Sequence, residues 1–78
     1  MAVLRLFAAA REAAGRASDT VGGATVGEVL AAATKRYGPG FEAVLAASRV
    51  WLNGEPAPAE AAVGEADEVA VIPPVSGG

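Results

Sequence analysis

The group in this sequence best suited to chemistry is the carboxylate of its last residue, Gly78. Gly77 and Gly78 carry no side chain, so they can thread a narrow channel in which any Cβ atom would clash. The carboxylate is ionised at neutral pH because the ordinary pKa of a chain end is about 3.5. It can attack the α-phosphate of ATP, become an acyl adenylate and then accept sulfur as a thiocarboxylate. Most chain ends are simply frayed, however, so the pair alone leaves both interpretations open.

The rest of the chain offers little other equipment for catalysis. It contains no Cys and no His, which excludes a thiolate nucleophile, a disulfide framework and the commonest metal ligands. Its glycine pairs lack the spacing of a phosphate-binding loop and the Lys-Ser/Thr ending of that motif. We therefore expect no bound cofactor, and we expect any ATP to be used by an activating partner.

Composition describes a small acidic domain. The chain has 78 residues, of which 53% are hydrophobic, and its net charge is -3. This hydrophobic content argues against disorder, and the negative charge argues against nucleic-acid binding. No apolar stretch is long enough for a membrane span, and the first residues do not resemble a signal peptide. We expect residues 1–78 to form a single soluble cytoplasmic domain, with residues 73–78 as an extended tail.

The elements that would position this tail begin with a strand. Residues 2–7 alternate between two faces, which is typical of a strand. Residues 8–14 are good helix formers that end at Gly15, a common stop. Residues 16–21 then predict a second strand.

The central element is a helix that begins after Thr25. Thr25 and Glu28 have the spacing of a capping box, and Gly38-Pro39-Gly40 ends the helix. Its apolar residues recur on one face, as expected for packing on a sheet. A shorter helical pattern follows, with apolar positions at Phe41, Val44 and Leu45.

The last third predicts two strands joined by a connection. Residues 49–52 form a strand closed by Asn53-Gly54, a strong turn signal. Pro56, Pro58 and the alanines after them are interpreted as a surface connection. Residues 68–72 form the final strand, and Pro73-Pro74 ends it. Strands at both ends with helices between them indicate an α+β fold, in which a small mixed sheet packs on one main helix.

Two apolar residues near the tail have two interpretations. Phe7 and Ile72 lie on strand faces opposite the presumed core. They are either scattered surface area, which is normal, or a patch on which partners dock. Pro73 and Pro74 would stiffen the exit of the chain, so the tail should project away from the sheet.

Both ends of the chain resemble the small-subunit family of molybdopterin synthase. The opening matches at Leu6-Phe7-Ala8, Arg11-Glu12 and Gly15, and the similarity covers nearly the whole chain. The matching C-terminal run is Asp67-Glu68-Val69-Ala70-Val71-Ile72-Pro73-Pro74-Val75-Ser76-Gly77-Gly78. Two departures stand out: Ala66 replaces a usual glycine, and Val71-Ile72 replaces a common aromatic pair.

The resemblance implies a ubiquitin-like β-grasp fold and a sulfur carrier. An adenylating enzyme related to ubiquitin activators would charge Gly78, and a sulfurtransferase or cysteine desulfurase would supply the sulfur. Phe7, Ile72, Pro73, Pro74, Val75 and Ser76 would contact partners. The tail would then enter the large synthase subunit, in a heterotetramer, and give its sulfur to cyclic pyranopterin monophosphate for molybdenum cofactor.

Two rival functions stay open at this point. The same chemistry could serve thiamine or cysteine biosynthesis, because carriers in those pathways also end in Gly-Gly. Alternatively, the chain could be a ubiquitin-like interaction module whose tail is never activated.

Overall fold

A computed structural model describes residues 1–74, which form five strands and three helices. In chain order these are β1 (Ala2–Leu6), α1 (Ala8–Ala14), β2 (Ser18–Val21), α2 (Val26–Tyr37), α3 (Pro39–Ala46), β3 (Arg49–Leu52), β4 (Glu55–Pro56) and β5 (Glu68–Ile72). None of the helices in this part of the chain is long and apolar enough to cross a membrane.

The strands form one mixed sheet in the order β2-β1-β5-β3-β4. Its centre is a parallel pair formed by the first and last strands, with Leu4 opposite Val69 and Leu6 opposite Val71. The other neighbours are antiparallel. A mixed sheet with parallel terminal strands at its centre, covered on one face by a helix, is the β-grasp arrangement. The expected fold class is confirmed.

The core lies between the sheet and the helices. Alternate residues of β1 and β5 point inward and meet the apolar stripe of α2, because side chains repeat every 2 residues along one face of a strand and every 3.6 residues along one face of a helix. The buried apolar side chains are Ala2, Leu4, Leu6, Ala10, Val21, Val26, Val29, Ala33, Phe41, Val63, Val69 and Val71. Most are small, and the one buried aromatic ring among residues 1–74, that of Phe41, packs edge-on against Tyr37.

Two boundaries and one additional strand differ from the sequence-based expectations. β1 ends at Leu6, because Phe7 already caps α1. β2 begins at Ser18 rather than at residue 16, since the chain must first leave the left-handed turn at Gly15 (φ 78°). The expected surface connection contains the short strand β4, in which Pro56 is tolerated because it lies at the edge of the sheet.

The start of α2 is capped, but not as a reciprocal capping box. The Thr25 hydroxyl accepts a hydrogen bond from the Glu28 N–H at 3.2 Å. The Glu28 carboxylate accepts from the N–H of Ala24 at 2.9 Å, one residue before the expected donor. The first bond satisfies an N–H group that the helix itself leaves free, and the second ties the preceding loop to the first turn of the helix.

The Asn53-Gly54 turn is tied to the start of β5. Both residues have positive φ (52° and 84°), as a tight hairpin turn of this type requires. The Asn53 side chain donates to the Asp67 carboxylate at 3.0 Å and accepts from the Glu68 N–H at 2.9 Å. Ala66, next to this clamp, does not have a positive φ, so the position does not require the glycine usual in the resembling family.

Candidate functional site

The carboxyl ends of the two central strands meet at one end of the sheet. The pairing of Leu6 with Val71 places the next residues, Phe7 and Ile72, at that end, and the Phe7 N–H donates to the Val71 carbonyl at 3.3 Å. Pro73 follows directly and is buried. We call Phe7, Ile72 and Pro73 the tail base. Residues 75–78, including the predicted partner contacts Val75 and Ser76 and the reactive pair Gly77-Gly78, lie outside the described residues.

Phe7 is the dominant apolar feature of the tail base. It is 44% exposed, and among residues 1–74 only Met1 is another exposed large hydrophobic residue. Ala8 next to it has a left-handed backbone (φ 50°), which turns the chain sharply from β1 into α1 and leaves Phe7 at the corner. Ile72 is half-buried and Pro74 is exposed. The structure thus brings the predicted contacts Phe7, Ile72 and Pro73 together, with Pro74 at their edge.

The sheet surface that faces away from the helices extends the tail base; we call it the outer face. Register places Arg49 opposite Ile72, and Trp51 opposite Ala70. Because Val50 and Leu52 pack towards the core, Arg49 and Trp51 project onto the outer face. An open groove of about 350 Å³ lies between β3 and residues 56–58, lined by Arg49, Val50, Trp51, Pro56, Ala57 and Pro58.

Sequence reasoning did not assign a functional role to Arg49. The strict alternation of residues 49–52 carried the signal, since it puts Arg49 and Trp51 on the same face. This alternation does not predict that β3 pairs with β5, and it is this pairing that brings Arg49 beside Ile72.

Charge on the outer face is uneven. Arg5 donates to Glu68 at 3.0 Å, so these two charges are paired. Arg49 is exposed and makes no ion pair within residues 1–74. The outer face therefore presents a positive charge beside the apolar tail base, although the chain as a whole is acidic.

The strongest pKa shift occurs in a network on β2 rather than at the tail base. A hydrogen bond from the Tyr37 hydroxyl, with further help from Arg36, lowers the pKa of Asp19 to about 2. Burial, followed by the bond to Asp19, raises the pKa of Tyr37. Asp67 also has a lowered pKa, because its carboxylate accepts from the Gly64 N–H and the Asn53 amide. These groups are engaged in holding the fold together.

The described part of the site is therefore equipped for docking. It combines exposed apolar area, an adjacent groove and a cation, next to the point where the chain leaves the sheet. Acid–base chemistry would need a titratable side chain at the tail base, and Phe7, Ile72 and Pro73 supply none.

Comparisons with known proteins agree with this geometry. The sequence profile of the ThiS family matches residues 4–78. The crystal structure of SAMP1 from Haloferax volcanii is similar, at 35% identity and TM-score 0.84, with 99% of this chain and 98% of that chain covered. A chain of the Amycolatopsis orientalis BexX/CysO complex is 26% identical, with TM-score 0.84 and 100% of both chains covered.

One further structure shares the fold. The putative molybdopterin converting factor subunit 1 from Pyrococcus furiosus is 24% identical, with TM-score 0.83, and the match covers 95% of this chain and 97% of that chain. At this identity the similarity speaks for the fold alone.

Proposed function

The chain belongs to the ThiS family of small ubiquitin-like sulfur carriers, and on this premise we propose that it carries sulfur as a thiocarboxylate at Gly78 and donates it as the small subunit of molybdopterin synthase. The observation that carries this proposal is the tail base. The exposed Phe7 ring and the half-buried Ile72 lie at the carboxyl ends of the central strands, where the chain continues into a tail that ends in Gly77-Gly78.

Loading takes three steps at the chain end. The Gly78 carboxylate oxygen attacks the α-phosphorus of ATP, and pyrophosphate leaves, which gives an acyl adenylate. The terminal sulfur of a persulfide on a sulfurtransferase or cysteine desulfurase then attacks the carbonyl carbon, and AMP leaves with the bonding electron pair, which gives an acyl disulfide. A second thiol attacks the enzyme-side sulfur of that acyl disulfide, so the thiocarboxylate leaves with the electron pair of the S–S bond and a new disulfide forms between the enzyme and the thiol. ATP binds to the adenylating enzyme in this scheme.

The fold contributes presentation rather than catalysis. Phe7 and Ile72 give a partner an apolar contact beside the tail, and Arg49 gives it a positive charge at the rim. The adenylating enzyme and the large synthase subunit must each receive the tail, so both would use the same surface in turn. The thiocarboxylate then delivers its sulfur to cyclic pyranopterin monophosphate within the large subunit.

The choice of pathway rests on the two ends of the chain. The opening at Leu6-Phe7-Ala8 and the run from Asp67 to Gly78 follow the small synthase subunit. The similarity to a chain of the BexX/CysO complex supports a rival in which the same thiocarboxylate serves another acceptor, such as one in cysteine biosynthesis.

A second candidate function is protein modification. It is favoured by the 35% identity to SAMP1, whose homologue from Methanosarcina acetivorans is described as a small archaeal modifier protein. In that case a lysine amine of a target protein, rather than sulfur, would attack the activated carbonyl of Gly78. The product would be an amide bond, and no sulfur would be gained.

Intact mass distinguishes these fates. Untagged protein is incubated with an adenylating enzyme, ATP and a sulfur donor, and a carrier of known competence is charged in parallel. We expect the mass gain of one oxygen exchanged for sulfur, located at Gly78. Isolated thiocarboxylate is then mixed with a large synthase subunit and cyclic pyranopterin monophosphate, and molybdopterin is measured.

The controls change only the tail. Deletion of Gly78, or addition of one residue after it, should abolish loading while the circular dichroism spectrum is unchanged. Loading without molybdopterin formation would contradict the synthase assignment and leave the carrier. Attachment to lysines without sulfur gain would favour the modifier. A protein that stays active with a blocked tail would overturn both and favour an interaction module.

A further inference from the structure

The sheet has two edges, and each must avoid pairing with another chain. An exposed edge strand presents unpaired N–H and C=O groups, which are a template for strand addition. At one edge, β4 has only two residues, and Pro56 has no N–H to donate. At the other edge, β2 has four residues and no proline, so it needs a different protection.

Register shows which groups of β2 point outward. The Leu6 N–H donates to the Ala17 carbonyl at 2.8 Å, and antiparallel bonding then alternates along the pair. Asp19 and Val21 therefore bond to β1, whereas Ser18 and Thr20 direct their N–H and carbonyl groups away from the sheet. The bonding of Val3, which lies opposite Thr20, supports this orientation: the Val3 N–H donates to the Asp67 carbonyl, just before β5, and not to β2.

Both outward groups of Thr20 are occupied by side chains. Its N–H donates to the Asp19 Oδ1 atom at 2.8 Å, and its carbonyl accepts from the Arg36 Nη1 atom at 3.1 Å. Arg36 Nη1 also donates to Asp19 Oδ2 at 2.6 Å, which closes the set, and the Tyr37 hydroxyl donates to the same oxygen. Arg36, at the end of α2, thus reaches over the edge strand to the Thr20 carbonyl, and Asp19 takes the Thr20 N–H. Two of the four outward backbone groups of Ser18 and Thr20, which an added strand would need, are therefore occupied.

We propose that Asp19 and Arg36 close the β2 edge against strand addition, and that without them β2 pairs with β2 of a second copy of this chain. Self-pairing is the expected outcome because the same edge is present on every copy and an antiparallel pair is two-fold symmetric. When the pair is centred on Asp19, Ser18 lies opposite Thr20, a favourable hydroxyl pair. The two Asp19 carboxylates then face each other, so Asp19 also opposes pairing by charge repulsion.

This inference goes beyond the proposed sulfur transfer. β2 is separated from β5 by β1, so the guarded edge and the tail base lie on different strands. The bonds of Asp19 and Arg36 at the β2 edge leave the outer face and the tail base open to partners while the carrier stays monomeric. The test of edge closure uses this chain alone, without any partner. Edge closure can therefore fail its test while sulfur loading succeeds, and sulfur loading can fail while edge closure holds.

The test frees the Thr20 N–H, and removes both the carboxylate that anchors Arg36 and the opposing charge, by Asp19→Ala. We expect the mass from sedimentation equilibrium to rise from monomer to dimer with concentration, and we expect amide exchange at Thr20 to slow as dimer forms. Arg16→Ala is the matched control, since Arg16 contacts Asp19 Oδ1 at 3.2 Å but no edge backbone. It should stay monomeric. Adding Thr20→Pro to Asp19→Ala removes the outward N–H and should restore the monomer.

If Asp19→Ala does not fold, Arg36→Ala tests the same proposal. Arg36→Ala uncovers only the Thr20 carbonyl and leaves the two Asp19 charges in opposition. Its dimerisation should therefore increase with added salt, which screens them. The proposal would be overturned if Asp19→Ala folds and stays monomeric, or if the dimer persists after Thr20→Pro is added. If Asp19→Ala does not fold, the proposal would be overturned by an Arg36→Ala variant that stays monomeric at every salt concentration.

Discussion

Replacing Phe7 by alanine should weaken binding to the adenylating partner by about 30-fold. Phe7 is 44% exposed, and a phenylalanine side chain offers roughly 200 Å², so docking can bury about 90 Å² of this residue. At about 25 cal/mol per Å² this corresponds to about 2 kcal/mol. A difference of that size is a factor of about 30 in Kd.

The assay is calorimetric titration of the partner with wild type, Phe7→Ala and a control variant. Glu42→Ala is the control, because Glu42 is exposed on α3 and lies away from the outer face. Phe7 makes no side-chain capping bond to α1, so its replacement should leave the helix cap intact. Thermal unfolding of each variant checks that the fold is unchanged.

Equal affinity of Phe7→Ala and wild type would refute the reasoning. It would mean that the exposed ring stays in water in the complex, and that the tail base is only the point where the tail leaves the sheet. Equal weakening by Phe7→Ala and Glu42→Ala would also refute it, since the effect would then not belong to this patch.

Asp19 has its pKa lowered from 3.8 to about 2 in the folded state, so its stabilisation is present above pH 3.8 and is lost as the pH falls through about 2. Its side chain is only 11% exposed. After an allowance for solvent screening, the free energy of unfolding of wild type should fall by about 1–2 kcal/mol more than that of Asp19→Asn between pH 6 and pH 2, as measured by urea unfolding. Parallel curves of unfolding free energy against pH would contradict this role of Asp19. Gly23→Ala should destabilise the folded protein by roughly 2–4 kcal/mol, because the new Cβ would lie 2.7 Å from the Val29 nitrogen at a φ of 157°. Gly22→Ala is the control, since a Cβ there meets nothing within 4 Å. Similar denaturation midpoints for the two variants would contradict the packing argument. Arg49→Glu should slow association with the adenylating partner and reverse its salt dependence, since a rim charge acts mainly on the association rate; unchanged stopped-flow rates would show that Arg49 faces no charge in the complex.

Local patterns in the sequence predicted the elements that end at strong stops. Helix α1 and strands β3 and β5 have the expected bounds, because Gly15, Asn53-Gly54 and Pro73-Pro74 end them irrespective of the rest of the fold. The start of β2 and the existence of β4 depend on partners distant in sequence, such as the bond from Leu6 to Ala17. No short window of sequence contains that information.

The candidate site was predictable to a similar extent. Alternation placed Phe7 and Ile72 opposite the core, and the parallel pairing of their strands brings them to the same end of the sheet, while their role as partner contacts stays a prediction. Arg49 was missed because it joins the site only through the pairing of β3 with β5. The Asp19 network was also missed, since its members come from β2 and from the last turn of α2. The roles of Gly77 and Gly78 stay predictions.

The parallel centre of the sheet has a consequence for synthesis of the protein. Val3 pairs with Glu68 and Leu6 with Val71, so the central strands come together only after most of the chain has left the ribosome. Contacts so distant in sequence also make folding slow compared with a helical bundle of this size. A fragment that lacks β5 has no central strand, and the Phe7 corner has no Val71 carbonyl to bond. An activating enzyme that recognises the tail base would therefore meet it only on chains that have completed their fold, and full-length chains that have not folded would escape charging.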